Sequence, residues 1–203
     1  MHLAVIGAGS IGRRHLVNLR ALGHEGVVID ADREVRRWAV TQGYEVRETV
    51  GNDGGFPLVD AAIIATPVRS HRDWLLTCLA WHLPVLIEKP LGTVADLPAL
   101  RALCPTVPVM MGYQLRFHPA LTALKARVPR PTGGQFNVAC DMAQWPGRGY
   151  GPILLEGSHE LDAALFCGAL RVVSQLDELT ATRARFWLGE DWYIDLNGAC
   201  AEY

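Results

Sequence analysis

Three glycines spaced as Gly7-x-Gly9-x-x-Gly12, directly behind the apolar run Leu3-Ala4-Val5-Ile6, restrict the folding of this chain more than any other feature. The apolar run reads as a strand and the residues from Ile11 onward as a helix, so the glycines must carry the chain through a tight strand-to-helix turn. Asp30 ends the next apolar run, 18 residues after Gly12. In that setting the glycines let a backbone approach a pyrophosphate. The helix N-terminus at Ser10, Ile11 and Gly12 meets its charge, and Asp30 takes the ribose hydroxyls. A tight turn in any α/β protein is the plainer alternative, but the strand before, the helix after and the spacing to Asp30 favour dinucleotide binding. A carboxylate at position 30 repels a 2′-phosphate and so favours NAD. Arg33, which is otherwise simply a solvated residue of the next helix, keeps NADP open.

Short apolar strands and amphipathic helices alternate up to about residue 112. Strands are expected at His2–Gly7, Gly26–Asp30, Asp60–Ala65, Pro84–Glu88 and Val107–Met111, with helices at Ile11–Leu22, Arg33–Gln42, Ser70–Trp81 and Val94–Leu103. Val/Ile-rich runs without polar alternation mark strands buried on both faces, as parallel sheets require. Their alternation with helices specifies a doubly wound α/β sheet. Gly51–Pro57 reads as a loop.

Beyond residue 112 the pattern changes. A helix is expected at Pro119–Val128, a linker at Pro129–Gly134, a strand at Gln135–Met142 and a helix from Ser158 to Cys167. Arg171–Ala181, Arg183–Leu188, Trp192–Leu196 and Ala199–Tyr203 alternate apolar and polar residues, with hairpin turns at Gly189-Glu190-Asp191 and Asn197-Gly198. The expected architecture is α/β: a doubly wound parallel sheet over residues 1–115, then a smaller, incomplete α+β domain over 116–203 with a mainly antiparallel sheet.

A formal net charge of -2 argues against nucleic acid or an anionic membrane as partner. Five scattered cysteines without a C-x-x-C pair suit reduced thiols rather than disulfides or a metal centre. No apolar stretch is long enough to span a bilayer, and no signal peptide precedes the first strand. A cytoplasmic protein is expected.

Three further segments carry chemistry. Thr66-Pro67-Val68-Arg69-Ser70-His71 follows the Asp60–Ala65 strand and either lines a nicotinamide ribose or is a turn in which Ser70 caps the next helix. Glu88-Lys89-Pro90 ends the following strand. A lysine there is an ordinary strand-end charge or, at the carboxyl edge where open α/β sheets hold ligands, a hydrogen-bond donor to a substrate oxygen. His159, in Gly157-Ser158-His159-Glu160-Leu161-Asp162, begins a helix that Ser158 can cap. It is either structural or the base that hydride transfer from an alcohol requires.

Taken in order, Gly7–Gly12 with His15, Ala65-Thr66-Pro67 with His71, Glu88-Lys89-Pro90, Gly112-Tyr113-Gln114-Leu115-Arg116-Phe117-His118-Pro119 and Gly157–Asp162 resemble the Gfo/Idh/MocA family of NAD(P)-dependent oxidoreductases. The resemblance runs over about residues 2 to 168. It implies a Rossmann domain followed by a domain whose sheet often mediates oligomerisation. It also implies hydride transfer at a ring carbon of a sugar, sugar nucleotide or cyclitol. The Gly112–Pro119 segment resembles members of surface-sugar biosynthesis and inclines the substrate toward nucleotide or amino sugars. By the same resemblance Lys89 orients the substrate, His159 is the acid/base, and Glu88, Gln114 and Arg116 lie near the nicotinamide or the substrate. Thr66, Pro67 and His71 join the cofactor-binding set, with no metal.

Two departures qualify the resemblance. The family usually has an Asp four residues before the histidine, where this chain has Leu155, which accepts no proton. The chain is also shorter than the family's usual length, as an abbreviated member or a fragment would be. Both features favour the alternative of a redox-silent NAD- or sugar-binding regulatory module. A sheet stopping near Tyr203 is expected to leave an unpaired edge and one apolar face, with Phe186, Leu188, Trp192, Ile194 or Leu196 partly uncovered. That predicts a homo-oligomer, a dimer, through the C-terminal sheet.

Overall fold

The computed structural model describes residues 1–50, 56–129, 131–139, 158–169, 173–179, 183–188 and 192–197. It separates into two compact units, Met1–Gly112 and Tyr113–Tyr203.

The first unit is built on six parallel strands: β1 His2–Ile6, β2 Glu25–Ile29, β3 Glu45–Arg47, β4 Ala61–Ile64, β5 Val85–Ile87 and β6 Val109–Met111. Their order is β3-β2-β1-β4-β5-β6, the doubly wound order of a Rossmann sheet. Helices α1 Ser10–Ala21, α2 Arg33–Thr41, α3 His71–Ala80 and α4 Leu97–Arg101 connect them. Both faces of the sheet are covered, which is why its strands lack polar alternation. Ala4, Ile6, Val27, Ile29, Ala62, Ile64, Val85 and Ile87 pack with Leu75 and Cys78 of α3 and with Phe56. The intervening Val5, Val28 and Ile63 pack on the other face with Leu16 and Leu19 of α1 and Ala39 of α2. Each Ile or Val enclosed in this way contributes on the order of 1.5–3 kcal/mol.

Local chemistry moves several expected boundaries. Asp32 caps α2 by accepting from the backbone N–H of Glu34 at 2.7 Å and of Val35 at 3.4 Å. Ser70 does not cap α3. Its hydroxyl donates to the Pro67 carbonyl at 2.9 Å and closes a 3-10 turn, Val68–Ser70, so the helix starts at His71. The helix expected over Val94–Leu103 is a 3-10 turn, Val94–Asp96, followed by the short α4. Thr93 and Asp96 form a capping box that tightens the first turn, and Pro98 sits at the start of α4. The edge strand β3 was not expected, because Glu-Val-Arg pairs through its backbone alone.

The second unit holds helix α5 Pro119–Arg127, strand β7 Gly134–Ala139, helix α6 Ser158–Cys167 and strands β8 Val173–Leu179, β9 Arg183–Leu188 and β10 Trp192–Asn197. Strands β8, β9 and β10 form the antiparallel meander, and β7 adds parallel to β10, giving the order β7-β10-β9-β8. Ala164, Cys167, Ala169 and Ile194 form its core, flanked by Leu121, Phe136, Leu161, Leu165 and Phe166. Ile194 is therefore fully buried rather than uncovered, because α6 residues pack with it. The expectation for Phe186, Leu188, Trp192 and Leu196 falls on side chains outside those described. Residues 51–55 of the expected loop, 140–142 of the expected strand, the turns at 189–191 and 198, Leu155 and the strand expected at 199–203 also lie outside the described residues. Among the described residues no helix is long and apolar enough to cross a membrane.

Candidate functional site

Every chemistry-bearing turn of the first unit leaves the carboxyl end of a strand. Main-chain hydrogen bonds fix their positions: Gly7 N–H donates to Ile29, Ala65 to Ile6, Glu88 to Ile64 and Gly112 to Ile87, at 2.8–2.9 Å. Gly7 has φ +85°, and a Cβ there would lie 2.8 Å from the Thr66 nitrogen. A Cβ on Gly12 would collide with the Gly7 carbonyl oxygen. Gly9 differs from both: a Cβ there would meet nothing within 4 Å. The backbone is thus closed on the protein side at Gly7 and Gly12 and open at Gly9. The N–H groups of Ser10, Ile11 and Gly12 stand in the first turn of α1, where no intrahelical acceptor exists.

The Asp30 carboxylate ties this turn to the next. It accepts from Ala8 N–H with Oδ2 and from Asp32 N–H with Oδ1, both at 2.8 Å. A carboxylate offers about four lone pairs, so both oxygens can still accept ribose hydroxyls. Arg33 stands exposed in the first turn of α2. The Thr66 hydroxyl is buried without a hydrogen-bond partner among the described residues. An unpaired buried hydroxyl beside an open glycine turn is the pattern that a polar ligand completes, so these residues fit a dinucleotide.

Glu88, Lys89 and Pro90 follow β5, and Lys89 is half-buried. The Lys89–Pro90 peptide is cis. Glu88 Oε1 lies 2.9 Å from His15 Nε2, a link from α1 to the end of β5. A Cβ on Gly112 would come within 3.2 Å of Glu88 Oε2, so a side chain there would press that carboxylate from its place. His71, expected in the cofactor-binding set, is buried between main-chain carbonyls. The side chain is 1% exposed, with Nδ1 2.7 Å from the Pro90 carbonyl oxygen and Nε2 2.8 Å from that of Thr66. It spans the turns after β4 and β5 from beneath, and Pro67 stands exposed beside it in the chain.

The second unit carries the remaining candidates. Gln114 and Arg116 lie in a 3-10 turn, Gln114–Phe117, and Gln114 is exposed. The Arg116 guanidinium forms a fork on Asp162 of α6, with Nε 2.7 Å from Oδ2 and Nη2 on Oδ1. Its hydrogen bond to Asp162 holds the Arg116 guanidinium above its ordinary value. Arg116, expected near nicotinamide or substrate, therefore commits two donors to this ion pair. His159 stands in the first turn of α6 with its ring edge-on to Tyr113, centroids 5.9 Å apart and planes at 81°. Burial, then the Asp162 charge, push the Tyr113 phenol up from its usual range, against a hydrogen bond from Ser158 and the charge of Arg116. The Asp32 cap, the His15–Glu88 pair and the Asp162 fork were not read from the sequence. Among the described residues no cluster of His, Cys, Asp and Glu is placed to hold a metal ion.

Comparison with known proteins places this geometry. Residues 1–114 match the GFO_IDH_MocA model, described as an oxidoreductase family with an NAD-binding Rossmann fold. Inositol 2-dehydrogenase of Mycolicibacterium smegmatis is 32% identical over 144 residues, 66% of this chain and 42% of that protein. The rhizopine catabolism protein MocA of Rhizobium meliloti is 29% identical over 175 residues, 79% of this chain and 55% of that protein. This chain thus spans about half the length of these curated relatives or less. Among solved structures, an Agrobacterium radiobacter oxidoreductase in complex with NAD+, L-tartaric acid and magnesium superposes with a TM-score of 0.80. The identity is 21%, over 100% of this chain and 68% of that one. UDP-N-acetylglucosamine 3-dehydrogenase GnnA of Acidithiobacillus ferrooxidans gives 0.76 at 21% identity, over 100% and 71%.

Proposed function

This chain belongs to the Gfo/Idh/MocA family of oxidoreductases with an NAD-binding Rossmann fold, and from that premise we propose that it acts in an NAD-dependent dehydrogenase or reductase of ring polyols. The substrate class is a cyclitol, a sugar or a sugar nucleotide. The relatives named inositol 2-dehydrogenase support the first and the fold neighbour named for UDP-N-acetylglucosamine the last. The observation that carries the reading is the open Gly9 turn, which shares one sheet edge with Asp30, Thr66 and Lys89.

Gly7, Gly9, Ser10, Ile11, Gly12, Asp30, Thr66 and Pro67 hold the dinucleotide, with His71 supporting the Thr66 and Pro90 turns from below. A nicotinamide held there would take up the hydride as NAD+ or give it up as NADH. Lys89 Nζ donates a hydrogen bond to the substrate oxygen and orients it. That donor stabilises negative charge as it develops on the oxygen. His159 exchanges the hydroxyl proton. Its Nδ1 is shielded from solvent, so Nε2 is the atom assigned to that exchange. Glu88 sets the start of the Lys89 turn, and by family resemblance Gln114 and Arg116 act toward the nicotinamide or the substrate. Asp30 favours NAD over NADP.

Reduction of NAD across a panel of inositols, sugars and UDP-sugars tests the reading. One class is expected to turn over, and Lys89→Ala is expected to abolish it. Cofactor binding with no turnover on any member of the panel rejects the enzyme and favours the regulatory module. A homodimer through the second unit's sheet belongs to the same proposal. Its support is that β7 and β8 are the outer strands of that sheet among the described residues. A single 22.3 kDa species in light scattering rejects it.

A further inference from the structure

We propose that Tyr113 is the positioning residue of His159, and that Tyr113 and Arg116 together form a bracket which fixes the first turn of α6. The inference rests on the proposed dehydrogenase reading for its purpose, though not for its geometry. Two ties join the segment 113–116 to α6. At one end the Tyr113 ring stands edge-on to the His159 ring, centroids 5.9 Å apart. At the other, the Arg116 fork grips Asp162, which is only 5% exposed.

His159 and Asp162 are three residues apart and so are neighbours on one face of α6. Holding both prevents the helix start from rolling about its axis. Tyr113 caps the 3-10 turn that carries Arg116, and the Arg116 N–H donates to the Tyr113 carbonyl at 3.3 Å, so one short segment presents both grips. His159 lies within this frame, with its ring edge-on to that of Tyr113. Such pairs have a preferred interplanar angle, so the contact resists rotation of the imidazole about its Cβ–Cγ bond. An acidic partner from position 155 is ruled out by residue type, since leucine has no acceptor. A ring edge orients an imidazole without taking its proton.

The test separates this bracket from the reaction itself. The His159 ring signal, assigned with His159→Gln, is followed by NMR in the unsubstituted protein, Tyr113→Phe and Tyr113→Ala. The alanine variant is expected to move and broaden that signal, whereas the phenylalanine variant keeps it near its original position. On the substrate identified by the panel, Tyr113→Ala is expected to lower kcat about tenfold with little change in KM, and Tyr113→Phe to recover most of the loss. Should Tyr113→Ala unfold, Tyr113→Leu fills the space without a ring and is read in the same way. A His159 signal unmoved by loss of the ring overturns the proposal, as does a phenylalanine variant that loses as much kcat as alanine. Absence of turnover in the unsubstituted protein overturns the dehydrogenase reading instead, and the NMR comparison still decides the bracket.

Discussion

Gly9→Ala separates cofactor binding from folding, and the three glycines of the turn supply their own controls. The added methyl at Gly9 meets nothing within 4 Å. Its backbone, at φ -67° and ψ -158°, is extended and open to alanine. Loss of chain entropy in the unfolded state stabilises such a variant by about 0.4–1 kcal/mol, and the poorer N-cap offsets about the same amount. The melting temperature is therefore expected to stay within about 2 °C. Gly7→Ala and Gly12→Ala behave differently. The first places a side chain at φ +85° and 2.8–2.9 Å from backbone atoms of Thr66 and Ala65, while the second drives a Cβ into the Gly7 carbonyl. Backbone cannot swing aside as a side chain does, so each costs about 2–3 kcal/mol or more, a fall of roughly 4–12 °C for a chain of this size. Binding reverses the order of interest. A phosphate oxygen approaches an N–H to about 2.9 Å but a methyl carbon only to about 3.5 Å, so the Gly9 methyl holds the pyrophosphate off the turn. NADH affinity, read by fluorescence titration, is expected to fall at least about tenfold, near 1.4 kcal/mol. The NADH-induced rise in melting temperature should shrink with it. Unchanged affinity in a normally folded Gly9→Ala protein refutes the assignment of the open face to the dinucleotide.

Three other outcomes follow from the same geometry. Among the described cysteines, Cys104 is exposed, whereas Cys78 is buried with its thiol pushed up to about 12 and Cys167 is buried and raised as well. Cys104→Ser should thus remove one fast-reacting thiol in an Ellman assay, and Cys78→Ser should remove none. Asp96 is held below the ordinary carboxylate value by the Thr93 hydroxyl and N–H, at 2.6 and 2.8 Å, and then by Arg72. A depressed folded value means stability that is complete above about pH 4 and is lost as pH falls through the folded value. Asp96→Asn should flatten that part of the acid limb, and an unaltered limb contradicts the assignment. Lys125 Nζ donates to the Phe166 carbonyl at 2.6 Å near the end of α6 and lies 3.8 Å over the Phe166 ring. Lys125→Met should cost about 1 kcal/mol in urea unfolding, and an unchanged midpoint would count against the cap.

What the sequence made legible was whatever a single segment had to do for itself. Strands β1, β2, β4 and β5 announce both buried faces in runs such as Ala4-Val5-Ile6, where successive residues enter different cores. The glycine turn is equally local, since its positive φ and close approaches arise within a few residues of one another or across one strand pair. Asp30 was legible because it ends a strand. By contrast β3 carries Glu45 and Arg47, and only its backbone pairing with β2 makes it a strand. No side-chain pattern records that.

The candidate site was legible residue by residue and illegible in its pairings. Lys89, His159 and Arg116 were singled out as side chains suited to polar chemistry, and each was assigned to a ligand. For Arg116 the structure supplies a protein partner, Asp162, 46 residues away, and for Glu88 it supplies His15, 73 residues away. Neither separation corresponds to a helical or strand repeat, so no periodicity could have joined them. His71 illustrates the physical reason most sharply. An imidazole near a sheet edge reads as a ligand contact because it is polar, yet two main-chain carbonyls make a buried site as acceptable to it as solvent. Sequence displays the donors of a chain and conceals which acceptors the fold turns toward them. His71 and Arg116, which looked like ligand-facing groups, each hold part of the fold in place through partners that the sequence does not display. The Thr66 hydroxyl differs from both, being buried and unpaired among the described residues where the backbone closes on Gly7.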